Sequence, residues 1–262
     1  MAAIRNAARE KLELGELSLG CGVRMTRSVE IGVAMKSAGF DWLFIDCEHG
    51  TMSLDAAAQV AVAALDAGIA PIVRVPNGEY SMATRVLDNG ALGIVMPHVD
   101  TADEAAEVVQ KLKYPPVGHR SMGGIGPHYG LRTAKSAEAA SALNAANLTV
   151  VMLETPKAIA NADAIAAVPG VDVLLIGTND LCAEMGIHGD FGNAKVAEAY
   201  QTMIAACKQH NKFPGMAGIY NEELMARYIG LGARFILSGN DAAFLTASAT
   251  ARAGALRKMH AS

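Results

Sequence analysis

Eight short runs of apolar and β-branched residues punctuate this 262-residue chain, and stretches of helical pattern lie between most of them. The runs are Ser18 to Val23, Trp42 to Asp46, Pro71 to Val75, Gly93 to Pro97, Leu148 to Glu154, Val171 to Gly177, Phe213 to Ala217 and Phe235 to Gly239. Helical stretches such as Ser53 to Ala67, Thr101 to Leu112, Pro156 to Ala167 and Asn221 to Ile229 each open on a Ser, Thr, Asn or Pro, the residues that start helices. Strands apolar on both faces must be covered on both, and parallel strands joined by helices achieve that. Eight such units predict an α/β fold, a single-domain (β/α)8 TIM barrel spanning residues 1–262; a doubly wound open sheet is the alternative with the same alternation. With 52% hydrophobic and 18% charged residues and no Pro/Gly/Ser linker, the chain has material for one large core. One connection departs from the pattern: residues 114–132 are too rich in Gly and Pro for an element and long for a connection, which marks a functional loop.

Charge and cysteine usage exclude several classes. A net charge of -4 with no Lys/Arg block speaks against a nucleic-acid surface, which needs concentrated positive charge. Cys21, Cys47, Cys182 and Cys207 show no zinc spacing and fall in apolar or helical segments, as reduced core thiols do. The first residues lack the apolar stretch of a signal peptide, and no segment approaches the roughly 18 apolar residues of a membrane span. The expectation is a cytoplasmic protein with no membrane partner.

Chemistry concentrates where strands end. The run Trp42-Leu43-Phe44-Ile45 stops in Asp46-Cys47-Glu48-His49, and charges at that point cost desolvation energy unless they have partners or work. Two more carboxylates close consecutive strands: Val150 to Leu153 runs into Glu154, and Val173 to Gly177 runs into Thr178-Asn179-Asp180. Adjacent strands lie about 4.8 Å apart, so the two acids can converge on one cation, and oxygen-only ligation favours a hard ion such as Mg²⁺ or Mn²⁺. The plainer reading is that Glu154 caps a helix or pairs with a lysine. Arg74 stands inside the apolar strand Pro71 to Val75, where its guanidinium needs an anion: a substrate carboxylate or a neighbouring strand's acid. A short helix starting near Asn179 would aim a backbone amide into the same mouth.

These residues carry a family resemblance. Gly-Phe-Asp-Trp-Leu-Phe-Ile-Asp-Cys-Glu-His from Gly39, Val-Arg-Val-Pro from Val73, Val-Met-Pro from Val95, Tyr-Pro-Pro-Val-Gly-His-Arg from Tyr114, Leu-Glu-Thr from Leu153, Ile-Gly-Thr-Asn-Asp-Leu from Ile176 and Pro-Gly-Met from Pro214 resemble the HpcH/HpaI family of class II pyruvate aldolases, in order and over almost the whole chain. The resemblance implies a lyase on a (β/α)8 barrel that cleaves or forms 4-hydroxy-2-oxo acids from pyruvate enolate and an aldehyde, with a divalent metal (Mg, Mn or Co). It makes Glu154 and Asp180 the metal ligands, Arg74 the carboxylate and enolate clamp, and His49 the acid/base group beside Asp46. It also matches Asp88 to an aspartate that pairs with this histidine from a neighbouring subunit. Because Asp88 lies in the helix after the Arg74 strand, that pairing implies a homo-oligomer, a homohexamer built as a trimer of dimers, with the apolar stretch Ala242 to Leu256 as a candidate for packing on the neighbour.

The residue chemistry agrees with those roles. A cation chelated by the carboxylate and keto oxygens of a 2-oxo acid stabilises the developing enolate. An imidazole with an ordinary pKa of about 6.5 suits the proton traffic. A Schiff-base aldolase would need a lysine late in an apolar strand, and none stands there. Cys47 falls on the opposite side of its strand from Asp46 and Glu48, so it is a poor nucleophile for the same mouth. Three departures from the family pattern, Met152 for a glutamine, Thr178 for a proline and Cys21-Gly22-Val23 in place of a bulky tryptophan, predict a wider, less polar acceptor pocket. The alternatives are decarboxylation or Claisen-type condensation through the same enolate, and a catalytically weak barrel that serves as an oligomeric binding subunit.

Overall fold

The computed structural model describes residues 4–124 and 126–261. Its strands are β1 (Ser18–Val23), β2 (Trp42–Asp46), β3 (Ala70–Arg74), β4 (Gly93–Met96), β5 (Leu148–Leu153), β6 (Val173–Gly177), β7 (Phe213–Ala217) and β8 (Phe235–Asn240). The helices are α1 (Ala7–Glu13), α2 (Ile31–Ser37), α3 (Leu54–Ala67), α4 (Tyr80–Asp88), α5 (Ala102–Leu112), α6 (Ser136–Ala146), α7 (Pro156–Ala160), α8 (Ala162–Ala166), α9 (Thr178–Glu184), α10 (Ala194–Gln209), α11 (Glu222–Leu231) and α12 (Asp241–Ala261). All neighbouring strands pair in parallel, and β8 pairs back onto β1, which closes the barrel and rules out the open sheet. The expected strands are all present, with ends that agree within two residues.

Strand periodicity decides which side chains enter the barrel. Trp42 and Phe44 of β2 face their register partners Ala70 and Ile72 of β3 in one apolar cluster inside the barrel, while Leu43, Ile45 and Val73 pack outward among the helices. The same alternation carries Asp46 and its register partner Arg74 to the inside at the C-terminal end. On β5 the inward residues Val150 and Met152 lead to Glu154, and on β6 Val173 and Leu175 lead to Gly177.

The opposite end is plugged. Asn6 caps α1 by accepting from the Ala8 and Arg9 N–H groups, and its amide donates to the Leu92 and Ala146 carbonyls. This ties α1 across the strand entrances and buries Ala8 and Leu12 in the inner cluster. Just above, the Trp42 ring stacks on Phe235 with centroids 3.9 Å apart. Gly20 makes room for that stack, because a Cβ there would come within 2.2 Å of the indole.

Two expectations are corrected in detail. The single helix Pro156 to Ala167 is broken into α7 and α8 at Asn161, whose amide donates to the Asp100 carbonyl, 2.8 Å away, instead of pointing to solvent. The sixth strand starts at Val173, two residues later than expected, and just before it the Asp172 carboxylate takes Arg9, Lys113 and the Thr149 N–H at the strand entrance. The Gly- and Pro-rich loop is held to the barrel by Arg120, whose guanidinium donates to Asp88 at 2.5 Å and lies over the Tyr114 ring. From Ala243 to His260 α12 is exposed but for the half-buried Gly254, Leu245 and Leu256 included.

The Gly20 contact gives a stability test. Gly20→Ala should lower stability by about 1–3 kcal/mol through overpacking against Trp42. Chemical denaturation should show an earlier midpoint with an unchanged slope.

Candidate active site

Asp46, Glu48, His49, Arg74, Glu154, Asn179 and Asp180 all come to the C-terminal ends of the strands, as expected. All but Glu48 line one cleft of about 220 Å³. The larger hollow, about 1220 Å³, runs along the outer face of α3 past Gln59, Val62 and residues 127–131, and contains none of these side chains. The chemistry therefore belongs to the smaller one.

Arg74 and Asp46 form the centre of the cleft floor. Arg74 donates through Nε and Nη2 to the two Asp46 oxygens at 3.0 and 2.8 Å, and its Nη1 lies 2.9 Å from Glu48. Of the two anions left open for Arg74, the structure supplies a neighbouring strand's acid. Burial works against the charge, but Asp46, then Glu48, hold the guanidinium above its ordinary pKa. The resemblance sets Asp46 beside His49, and the structure gives it other partners. Its carboxylate is taken by Arg74 and by the backbone N–H groups of Glu48 and His49, so it fixes the corner carrying His49 and does not touch the imidazole. The half-exposed ring of His49 has Nε2 3.9 Å from Glu48.

Glu154 is buried and makes no ion pair with lysine or arginine among the described residues. Its Oε2 accepts the His98 N–H at 2.8 Å, and the His98 Nδ1 lies 3.2 Å away. The site is shaped for this carboxylate: a Cβ on Gly177 would come within 2.4 Å of Oε1, so only glycine leaves it space. Burial pushes the Glu154 carboxyl up to about 7, with the negative charges of Asp180 and Glu48 adding to the rise and the His98 contacts opposing it. Asp180 lies in the first turn of α9, whose start is pinned by the Thr178 hydroxyl on the Ala217 carbonyl at 2.7 Å. Gly218 lets Asn179 approach closely, since a Cβ there would come within 2.7 Å of its amide.

A buried acid near two others and short of cations fits a divalent cation chemically. Among the described residues no group of three or more His, Cys, Asp or Glu side chains is placed to hold a metal ion by itself.

Asp88 lies elsewhere. It ends α4 at the strand-entrance end of the barrel, bound to Arg120, and one chain cannot bring it to His49. Lys113 is the buried lysine among the described residues, but it too sits at the entrance end, where it donates to the Asn144 and Asn147 carbonyls. Burial pushes the Cys47 thiol up to about 11, which leaves it protonated.

The profile of the HpcH/HpaI aldolase/citrate lyase family matches residues 29–248. The chain belongs to this family. It is 42% identical to the 4-hydroxy-4-methyl-2-oxoglutarate aldolase of Hapsidospora irregularis, over 98% of this chain and 96% of that one. It is 40% identical to the enzyme of the same name from Chaetomium globosum, over 99% and 97%. The HpcH/HpaI aldolase structure from Desulfitobacterium hafniense superposes with a TM-score of 0.90 at 27% identity, covering 97% of both chains. The expected fold and the expected class, a carbon–carbon lyase of the pyruvate aldolase kind, both stand. No helix among the described residues is long and apolar enough to cross a membrane.

Sequence reasoning missed His98 and Arg24 in this aldolase. His98 follows Pro97 directly at the end of β4, a position that could have signalled a rim residue, and it adopts φ 52°, a left-handed conformation uncommon outside glycine. Arg24 follows β1 and places Nε 3.4 Å from Asp46 Oδ2, with no apolar strand around it to draw attention.

Glu154 allows a pH test of the expected metal binding. Its folded pKa of about 7 lies above the ordinary 4.5, so between those values the folded chain holds more protons than the unfolded one. Its contribution to stability is thus greatest at low pH and is lost as pH rises through about 7. Mn²⁺ needs the ionised form, so it should raise the melting temperature clearly at about pH 8 and little at about pH 5. Glu154→Gln should remove the difference. Equal shifts at both pH values would speak against Glu154 as a ligand.

Proposed function

We propose that this chain is a divalent-metal-dependent aldolase acting on 4-hydroxy-4-methyl-2-oxoglutarate, a six-carbon diacid whose cleavage yields two molecules of pyruvate. The observation that carries the reading is Glu154: a buried carboxylate with no lysine or arginine ion pair among the described residues, near Asp180, in a cleft that also holds Arg74. Two relatives described above, 42% and 40% identical, bear the name of this activity. Glu154 and Asp180 would hold the cation, Mg²⁺, Mn²⁺ or Co²⁺. When bound, it supplies Lewis-acid polarisation of the substrate's 2-oxo group.

The chain's own residues do the rest. Arg74 receives the 2-oxo acid's carboxylate at Nη1, which Glu48 yields while Asp46 keeps Nε and Nη2 in place. The first-turn N–H groups at Asn179 and Asp180 lack acceptors within α9 and favour the same anionic end. In cleavage His49 takes the C4 hydroxyl proton, the C3–C4 bond breaks, and its electron pair moves to C3 as the enolate; the second pyruvate departs with its new carbonyl at former C4. Protonation at C3 completes the first pyruvate, so atoms and charge balance. The reverse sequence joins two pyruvates, and an aldehyde in place of the second gives simpler 4-hydroxy-2-oxo acids.

The assembly belongs to the same reading. Asp88 is remote from its own His49, half of its carboxylate is free of Arg120, and α12 leaves Leu245 and Leu256 exposed. We infer a homohexamer, a trimer of dimers, in which Asp88 meets a neighbour's His49 and α12 packs on a neighbour. Four buried free thiols suit a cytoplasmic setting.

The decisive assay is cleavage of 4-hydroxy-4-methyl-2-oxoglutarate read by pyruvate formation. It should need added metal and fall by more than about 100-fold in Glu154→Gln. Arg74→Lys should raise KM, because an ammonium cannot reproduce the planar fork. Full turnover in exhaustively metal-free protein would overturn the reading. Mixing inactive His49→Ala and Asp88→Asn chains should restore partial activity; no recovery after verified subunit exchange would return Asp88 to a purely structural role.

A further inference from the structure

Arg24 is the second arginine of the cleft, and the reaction proposed above gives Arg74 only one of the substrate's two carboxylates. Three features of Arg24 point to a ligand rather than to structure. Its backbone is pinned: the Asp241 carboxylate accepts the N–H groups of Arg24, Met25 and Thr26, the tightest at 2.7 Å, and also that of Ala242. Asp241 is itself buried, so the loop after β1 is fixed from beneath. The guanidinium, in contrast, makes no hydrogen bond among the described residues. Its one charged contact is Nε to Asp46 at 3.4 Å, and Asp46 is already satisfied by Arg74. The side chain is 50% exposed, and a half-exposed, imperfect ion pair of this kind contributes little to stability.

Position in the barrel completes the case. In the closed order β1 to β8, the end of β1 faces the ends of β5 and β6 across the mouth, where Glu154 and Asp180 stand, and Arg74 on β3 lies between the two sides. A 2-oxo acid whose carboxylate and keto oxygens sit between Arg74 and the two acids extends its carbon chain toward β1. Gly22 and Gly239 line that side and place no side chain in the way.

Resting on the aldolase reading, we propose that Arg24 is the clamp for the distal carboxylate of the substrate, and hence the residue that selects an oxo-acid acceptor over an uncharged aldehyde. Asp241 is its positioning residue.

The test is binding of two uncleavable oxo acids of equal chain length, 2-oxoglutarate and 2-oxovalerate, measured by calorimetry on the Mn²⁺-loaded protein. Both lack the 4-hydroxyl, and only the first has a distal carboxylate. The wild-type protein should prefer 2-oxoglutarate by about tenfold or more, and Arg24→Gln should bind the two within about twofold. Arg24→Lys should keep part of the preference. Thermal unfolding of Arg24→Gln at the wild-type temperature would separate loss of the clamp from loss of fold. No preference in the wild type, or an undiminished preference in Arg24→Gln, would overturn the assignment. This readout does not depend on turnover, so a wild-type protein that binds with the preference but cleaves nothing would refute the aldolase reading while leaving the clamp standing. In the active enzyme, the ratio of kcat/KM for 4-hydroxy-4-methyl-2-oxoglutarate to that for 4-hydroxy-2-oxovalerate should drop by about tenfold in Arg24→Gln. Equal losses on both substrates would again overturn it.

Discussion

Asp46 and Arg74 are register partners on adjacent strands, both turned into the barrel where almost no water reaches them. An isolated charge at either position would be untenable, and removing one partner of such a pair typically costs about 3–5 kcal/mol because the other is left buried and unpaired. The pair therefore holds the top of β2 and β3 in one geometry. Its second effect is on the chain beyond: Asp46 Oδ1 accepts the N–H groups of Glu48 and His49, which turns the corner and presents Glu48 to Arg74 and His49 to the rim. Two backbone bonds and two guanidinium bonds thus fix the donor-carboxylate site and the proposed base together.

The rest of the mouth is electrically polarised around that pair. Glu154 and Asp180 put negative charge on the β5 and β6 side, whereas Arg24 and Arg74 put positive charge on the β1 and β3 side. Glu154 is destabilised as an anion in this arrangement, and two local features keep it there: a left-handed His98 whose N–H it takes, and a glycine at 177 where any side chain would collide with it. On the proposed reading, a divalent cation held by Glu154 and Asp180 would relieve that electrostatic cost. The proposed substrate would follow the same polarity, with its oxo-acid oxygens toward Glu154 and Asp180 and its carboxylates toward the arginines.

Much of this could be read in the chain because strand periodicity translates directly into position. An apolar run ending in Asp46, another containing Arg74 and another ending in Glu154 place those side chains at one end of the barrel, and the motifs around them carry the family resemblance. What was hidden depended on pairings between distant segments. Nothing in the local sequence says that Asp46 chooses Arg74 over the His49 imidazole, since both choices lie within reach of a strand-end carboxylate. Arg24 sits in a polar turn without pattern, and its placement comes from Asp241, more than two hundred residues later. His98 needed a backbone conformation that residue type does not announce. Asn161 splits a helix through a bond to a carbonyl on another loop, which no helical propensity contains.

The central claim is that this cleft makes an enolate of pyruvate between a cation on Glu154 and Asp180 and the guanidinium of Arg74. Exchange of the pyruvate methyl protons in D2O, followed by NMR with no acceptor present, measures that step alone. The account predicts exchange that needs a divalent cation and is lost in Glu154→Gln. Exchange that proceeds at full rate in metal-free protein, or in Glu154→Gln, would contradict it.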